Sequence, residues 1–163
     1  MKKLTILALA ATMSMSAFAM KVGYVSSQEV FSKYSGTKIV KEQLVKEKSR
    51  LENEIKRQEV ELQKLKVELQ AKGNSVTQQE KSKFQKQAEE FQKYVNQAQM
   101  NLNRQEQEKF SQITKNIDAS IQSIAKREKF DYVFEEGAIK FGGEDITQKV
   151  INQMEKGEKI KLN

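Results

Sequence analysis

The amino-acid sequence predicts a mostly helical α+β protein: a long antiparallel helical hairpin of coiled-coil type, standing on a small β-rich body that oligomerises. Three observations carry this. From Thr37 to about Lys129 the chain consists almost wholly of helix-forming residues, interrupted once at Lys72-Gly73-Asn74-Ser75. Within that stretch, apolar side chains recur with the alternating 4, 3 spacing of a helical seam. On either side of it the chain turns to aromatic and β-branched residues, the composition of strands. Proline is absent from all 163 residues, which suits helices whose interiors cannot accept it.

The first element is an export signal. Lys2 and Lys3 precede the apolar run Leu4 to Met15, and Ala17-Phe18-Ala19 has the small-x-small pattern of a cleavage site, so residues 1–19 are expected to be removed after Ala19. The apolar run is too short for a bilayer, which needs about 20 helical residues. The mature chain from Met20 keeps 27 basic against 22 acidic side chains, a net of +5.

Residues 20–36 read as a short strand, Lys21-Val22-Gly23-Tyr24-Val25, and a short helix. Ser26 opens that helix with Glu29 three positions on, a capping-box pattern, and Gly36 closes the unit. The hairpin takes 37–129, with its tip turn at 72–76. Thr77-Gln78-Gln79-Glu80 is a second capping box and starts the returning helix near Gln78. Residues 130–163 complete the body. Phe130-Asp131-Tyr132-Val133-Phe134 and Ala138-Ile139-Lys140-Phe141 read as two strands joined by a hairpin turn at Glu136-Gly137, with Gly142-Gly143 ending the second. Asp145 then caps a last helix whose Ile146, Val150, Ile151 and Met154 fall on one side.

The seam of the outgoing helix is Leu44, Lys48, Leu51, Ile55, Gln58, Leu62, Leu65 and Leu69, a 3.5-residue period with two polar intruders. The returning helix keeps the same stepping at Phe84, Ala88, Phe91, Val95, Ala98 and Leu102. Beyond Leu102 the pattern slips: Phe91, Leu102, Ile113 and Ile124 are spaced by 11, so the supercoil is expected to relax or reverse there. At about 1.5 Å per residue the two helices reach roughly 54 and 80 Å. Flexibility is expected near Gly36 and around Leu102.

Charge is unevenly placed. The hairpin carries 20 basic and 14 acidic residues, whereas the rest of the mature chain has 7 and 8. Between Leu62 and Lys86 stand Lys64, Lys66, Lys72, Lys81, Lys83 and Lys86 against only Glu68 and Glu80. A field of one sign at the end of an arm is where an anionic surface or polypeptide would be steered. Val60 and Val67, seven apart, lie off the main seam, as do Tyr94 and Met100 on the other helix. These four are candidate contacts for a bound unfolded chain.

Composition removes whole classes of chemistry. With no His and no Cys there is no zinc site of the usual nitrogen and sulfur kind, no disulfide, no thiolate nucleophile and no imidazole base. No Asp or Glu pair stands out as an acid/base couple, and no G-x-x-x-x-G-K-[ST] nucleotide motif is present. No enzyme activity, cofactor or metal is expected. The basic tip lacks interleaved aromatics and the chain has only four arginines, so nucleic acid is not an expected partner either. The strands and short helices outside the hairpin total about 51 residues, where burial becomes marginal for an independent domain, and open sheet edges invite pairing with another copy. A homo-oligomer is therefore expected.

The order of these elements resembles the Skp family, also called the OmpH family, of periplasmic chaperones. The resemblance rests on the Lys21 to Val25 opening with Glu29-Val30-Phe31, the Phe130 to Phe134 strand, and Asp145-Ile146-Thr147 before a final amphipathic helix. It implies a jellyfish-like homotrimer in the periplasm, with a β body built by all three subunits and helical arms around a cavity. That cavity would hold unfolded outer-membrane protein precursors without ATP and prevent their aggregation. The resemblance places Val22, Tyr24, Val133, Phe134, Ile139 and Phe141 in the oligomerisation body and the tip lysines at the arm ends, where anionic lipid or lipopolysaccharide is a further candidate partner. It brings no catalytic residues. The alternative is a structural coiled-coil protein linking or spacing envelope layers.

Overall fold

A computed structural model describes residues 20–157. The expected export signal, 1–19, lies outside the described residues. Strand β1 (Val22–Val25) leads into helix α1 (Ser27–Lys33) and then into α2 (Ser35–Lys72). A 3₁₀ turn at Gly73–Ser75 reverses the chain into α3 (Gln78–Glu128). Strands β2 (Tyr132–Glu135) and β3 (Glu144–Asp145) and helix α4 (Thr147–Lys156) follow. With 38 and 51 residues, α2 and α3 are roughly 57 and 76 Å long at 1.5 Å per residue. Among the described residues no helix is long and apolar enough to cross a membrane.

The tip follows its local chemistry. Gly73 adopts φ +53°, a conformation open to glycine at no side-chain cost, and nothing lies near its Cβ position. Thr77 Oγ1 accepts from the Glu80 N–H at 3.2 Å while the Glu80 carboxylate accepts from the Thr77 N–H at 2.9 Å, so the capping box forms as its sequence requires.

The sheet corrects the sequence reading. Its order is β2-β1-β3 and both pairings are parallel: Val22 faces Tyr132, Tyr24 faces Phe134, and Gly23 faces Glu144. The expected hairpin at Glu136-Gly137 does not form. Glu136–Ala138 is a 3₁₀ turn, and Ile139 to Phe141 are not a strand. The reason is geometric: β1 lies between β2 and β3, and two parallel strands cannot be joined by a two-residue turn. Gly142 and Gly143, just before β3, have φ +80° and +92°, values that suit glycine alone.

The capping box expected at Ser26 and Glu29 is also absent. Ser26 flanks α1 without a side-chain bond, and Glu29 pairs with Lys33 at 2.8 Å. The orphan donors of α1 go to a distant carboxylate: the Ser27 N–H and hydroxyl both donate to Glu135, at 2.7 and 2.8 Å. The start of α2 repeats the device, with the Ser35 N–H and hydroxyl donating to Glu155 at 2.6 Å each. Asp145 does serve α4, accepting the Thr147 N–H at 2.8 Å.

The core sits where arm and body meet. Val40 from α2 and Ile113, Ile117 and Ile124 from α3 pack with Val25, Val30, Tyr34, Ile146, Val150, Ile151 and Met154. The apolar face expected of α4 is therefore the buried one. The hairpin root supplies a third of this core, so the body does not have to fold on its own 51 residues, as the burial argument from sequence assumed. Gly36 is no pivot. It is buried in the first turn of α2, and a Cβ there would lie 2.3 Å from the Tyr34 ring. Helix α3 runs unbroken through Leu102, and the spacing of eleven marks where its buried stripe passes from α2 to the core: Phe91 and Leu102 are half-buried, Ile113 and Ile124 fully buried.

Candidate functional site

Beyond the core the arm consists of α2 and α3 alone. The seam residues Leu44, Leu51, Ile55, Gln58, Leu62, Leu65 and Leu69 are all half-buried, Lys48 turns out to solvent, and Ala98 is the one buried residue of this stretch. A two-layer structure cannot bury more.

All six tip lysines are exposed. They are not equivalent. Lys72 donates across the turn to Glu80, and Lys86 lies 3.9 Å from Glu90, whereas Lys64, Lys66, Lys81 and Lys83 carry no ion pair among the described residues. The Lys72 hydrogen bond, aided by the Thr77 N–H and hydroxyl, holds the Glu80 carboxyl down at about 2. Lys72 thus fastens the tip, and the other lysines carry its positive field.

The four off-seam residues are not brought together. Val60 and Val67 share the face of α2 turned away from α3 and are 45% and 52% exposed; Met100 is 70% exposed on the corresponding face of α3. Tyr94 alone points along the flank between the helices, between Arg50 and Arg57 of α2.

That flank has a repeat missed in the sequence reading. Glu47, Glu54, Glu61 and Glu68 recur every seven residues, with Arg50, Arg57 and Lys64 three positions after the first three. Arg50 grips Glu47 with two bonds of 2.9 and 2.8 Å, and Arg57 donates to Glu54 at 2.7 Å. These bonds hold the Glu47 carboxyl below its ordinary range; Glu54 is lowered first by Gln58 and then by Arg57. The signal was available as a second heptad, offset from the apolar one.

In the body the outer sheet face is apolar. Pairing in register puts Val22 beside Tyr132 and Tyr24 beside Phe134 on one face, while Gly23 and Val133 turn toward the core. Tyr132 and Phe134 stack, with ring centroids 6.0 Å apart and planes at 19°. They are 53% and 42% exposed, and Phe141 is 99% exposed. Val22, Tyr24 and Ile139 are half-buried. Of the six residues assigned to the body, Val133 is the one that packs on the core of its own chain; Tyr132 was missed, although its i, i+2 relation to Phe134 on a strand places it on the same face. Lys21 ties the sheet together: its ammonium lies 3.9 Å over the Phe130 ring, donates to the Glu128 carbonyl at 3.2 Å, and pairs with Glu144 at 3.5 Å.

A three-stranded parallel sheet with a long two-helix arm rooted in its core, basic at the tip and apolar on the outer sheet face, defines a class of projecting-arm proteins. The family described as Outer membrane protein (OmpH-like) matches residues 21–154, nearly all that the structure describes, and the chain belongs to that family. A crystal structure of a candidate outer membrane chaperone (OmpH-like) from Caulobacter crescentus CB15 is similar to it. Identity is 20%, with a TM-score of 0.72 over 83% of this chain and 84% of that one. No curated protein matches the sequence.

Proposed function

We propose that this protein is a periplasmic holdase chaperone, exported by residues 1–19, that works as a homotrimer without ATP. The outer sheet faces of three copies close the body. Three arms then enclose a space in which an unfolded outer-membrane protein precursor is kept from its neighbours. The observation that carries this reading is the arm itself: α2 continues from Lys48 to Lys72 with no core behind it, roughly 36 Å of helix pair whose exposed surface serves no folding purpose. Membership of the OmpH-like family supports the chaperone role.

The physical account is simple. A β-barrel precursor exposes alternating apolar residues and unpaired strand edges, and its hazard is pairing with another copy. Enclosure lowers that encounter rate. Scattered exposed residues such as Val60, Val67 and Met100 give many weak contacts, and the lysines Lys64, Lys66, Lys81 and Lys83 add attraction for acidic segments or anionic surfaces such as lipid or lipopolysaccharide. Weak contacts tolerate many sequences and release passively to a better partner. The test is light scattering of a urea-diluted outer-membrane protein with and without this chain. Scattering is expected to be suppressed at a threefold molar excess; undiminished aggregation there overturns the proposal.

A further inference from the structure

We propose that the flank of the arm centred on Tyr94 is a docking groove for an extended polypeptide segment in which apolar and basic residues alternate. This rests on the chaperone reading above and says where, and by what chemistry, such a segment is held. Two adjoining depressions of about 480 and 360 Å³ run along one side of the hairpin and meet at Tyr94. Their floor is the half-buried seam: Leu51, Leu62, Leu65, Phe91 and Leu102.

In a closed coiled coil, flanking charges pair from one helix to the other and cover the seam. Here they do not. Arg50 and Arg57 turn back to Glu47 and Glu54 of their own helix, while on α3 Glu90 turns to Lys86 of its own helix and the other polar groups opposite are the neutral Gln87, Gln97, Asn101 and Gln105. Between Leu44 and Leu69 no ion pair crosses from α2 to α3 among the described residues, so the apolar floor stays open.

Charge selects the occupant. The distal depression is lined by Glu54, Glu61 and Glu90 against Arg57, a net of −2 that Lys86, 3.9 Å from Glu90, reduces to −1, still opposite in sign to the lysine tip beyond it. An extended chain sends alternate side chains to opposite sides, so apolar residues meet the floor while lysines or arginines meet the glutamates. Backbone chemistry points the same way. A helix satisfies its own N–H and C=O groups, whereas an extended chain leaves them unpaired, and side-chain amides supply both a donor and an acceptor. From Gln87 to Gln105 the groove is roughly 27 Å long, room for about eight extended residues.

The chain has no cysteine, so one introduced cysteine can be labelled cleanly. A bimane fluorophore is placed on Gln97→Cys in the groove and, separately, on Lys56→Cys on the outer face of α2. The full chain is titrated with a peptide of about eight residues alternating Val and Lys, and with its Val/Glu counterpart. A saturable shift at Gln97 with the Val/Lys peptide is expected, with Lys56 silent and the Val/Glu peptide without effect. In the Gln97→Cys background, Tyr94→Ala should raise the peptide Kd about tenfold, and Glu61→Gln with Glu90→Gln should weaken it with the apolar floor intact. Circular dichroism monitors folding throughout. No shift at Gln97, an equal shift at Lys56, or equal binding of the Val/Glu peptide overturns the groove. The same preparations are assayed on a urea-diluted outer-membrane protein: suppressed aggregation with a silent groove overturns this inference alone, and loss of suppression overturns the chaperone reading itself.

Discussion

Lys129 is the one described non-glycine residue in the left-handed region, at φ 58°, and it ends the longest helix. Phe130 donates back to the Ala125 carbonyl at 2.9 Å, the long closing bond of a Schellman-type end, which ordinarily uses glycine there. Lys129→Gly should therefore stabilise the protein by about 0.5–1 kcal/mol, read as a shift in the urea midpoint; a loss of stability would mean the lysine side chain holds a contact of its own. A second residue-scale prediction concerns pH. The Glu80 carboxyl titrates at about 2 against an ordinary 4.5, so its support of the tip is complete above pH 4.5 and is lost as pH falls through about 2. Lys72→Gln should move the Glu80 titration up toward its ordinary value while the Thr77 bonds retain part of the lowering. Carboxyl chemical shifts followed by nuclear magnetic resonance would check this, and an unmoved titration would assign the effect to Thr77 alone.

At the scale of elements, α3 is one helix with two jobs. Its outer half meets α2 through residues that stay half-buried, and its inner half drives Ile113, Ile117 and Ile124 into the core. Truncations should report the difference. Ile124→Ala, which removes a fully buried side chain, is expected to cost about 3 kcal/mol of global stability, and Leu65→Ala, in the seam, about 1 kcal/mol. Hydrogen exchange should show the Leu65→Ala loss confined to the arm, because little outside the arm touches that turn. The long helices were legible from sequence because period, breaker and cap are local signals: Gly73, Thr77 and Glu80 act within a few residues of one another. The strands were not. A parallel register pairing Val22 with Tyr132 has no counterpart in neighbouring residues, and the Glu136-Gly137 dipeptide resembled a turn that the position of β1 forbids.

For the whole molecule, the outer sheet face is apolar and the edges of β2 and β3 are open, the surfaces on which the proposed trimer would close. On the trimer proposed above, light scattering of the chain from Met20 onward should give three times the monomer mass. Tyr132→Lys with Phe134→Lys should yield a monomer whose helical circular dichroism is unchanged, since neither side chain belongs to the core of its own chain. A mass independent of these changes would place the self-contact elsewhere. Tip and groove carry opposite charge, so salt should weaken contacts at both, with long-range attraction shrinking as the Debye length falls from about 10 Å at 0.1 M to about 3 Å at 1 M.

The sequence by itself determined the two long helices of the arm, their lengths, the tip turn with its cap, the basic field at the end and the apolar face of α4. Each of these is a property of residues within a few turns of one another. Tertiary structure decided what depends on distant partners. It chose β1 as the centre of a parallel sheet, drew the caps of α1 and α2 from Glu135 and Glu155, 108 and 120 residues away, and set the core at the hairpin root. It also left the Tyr94 flank open, because whether a charge reaches across to the facing helix or back along its own is settled only when the two helices lie side by side.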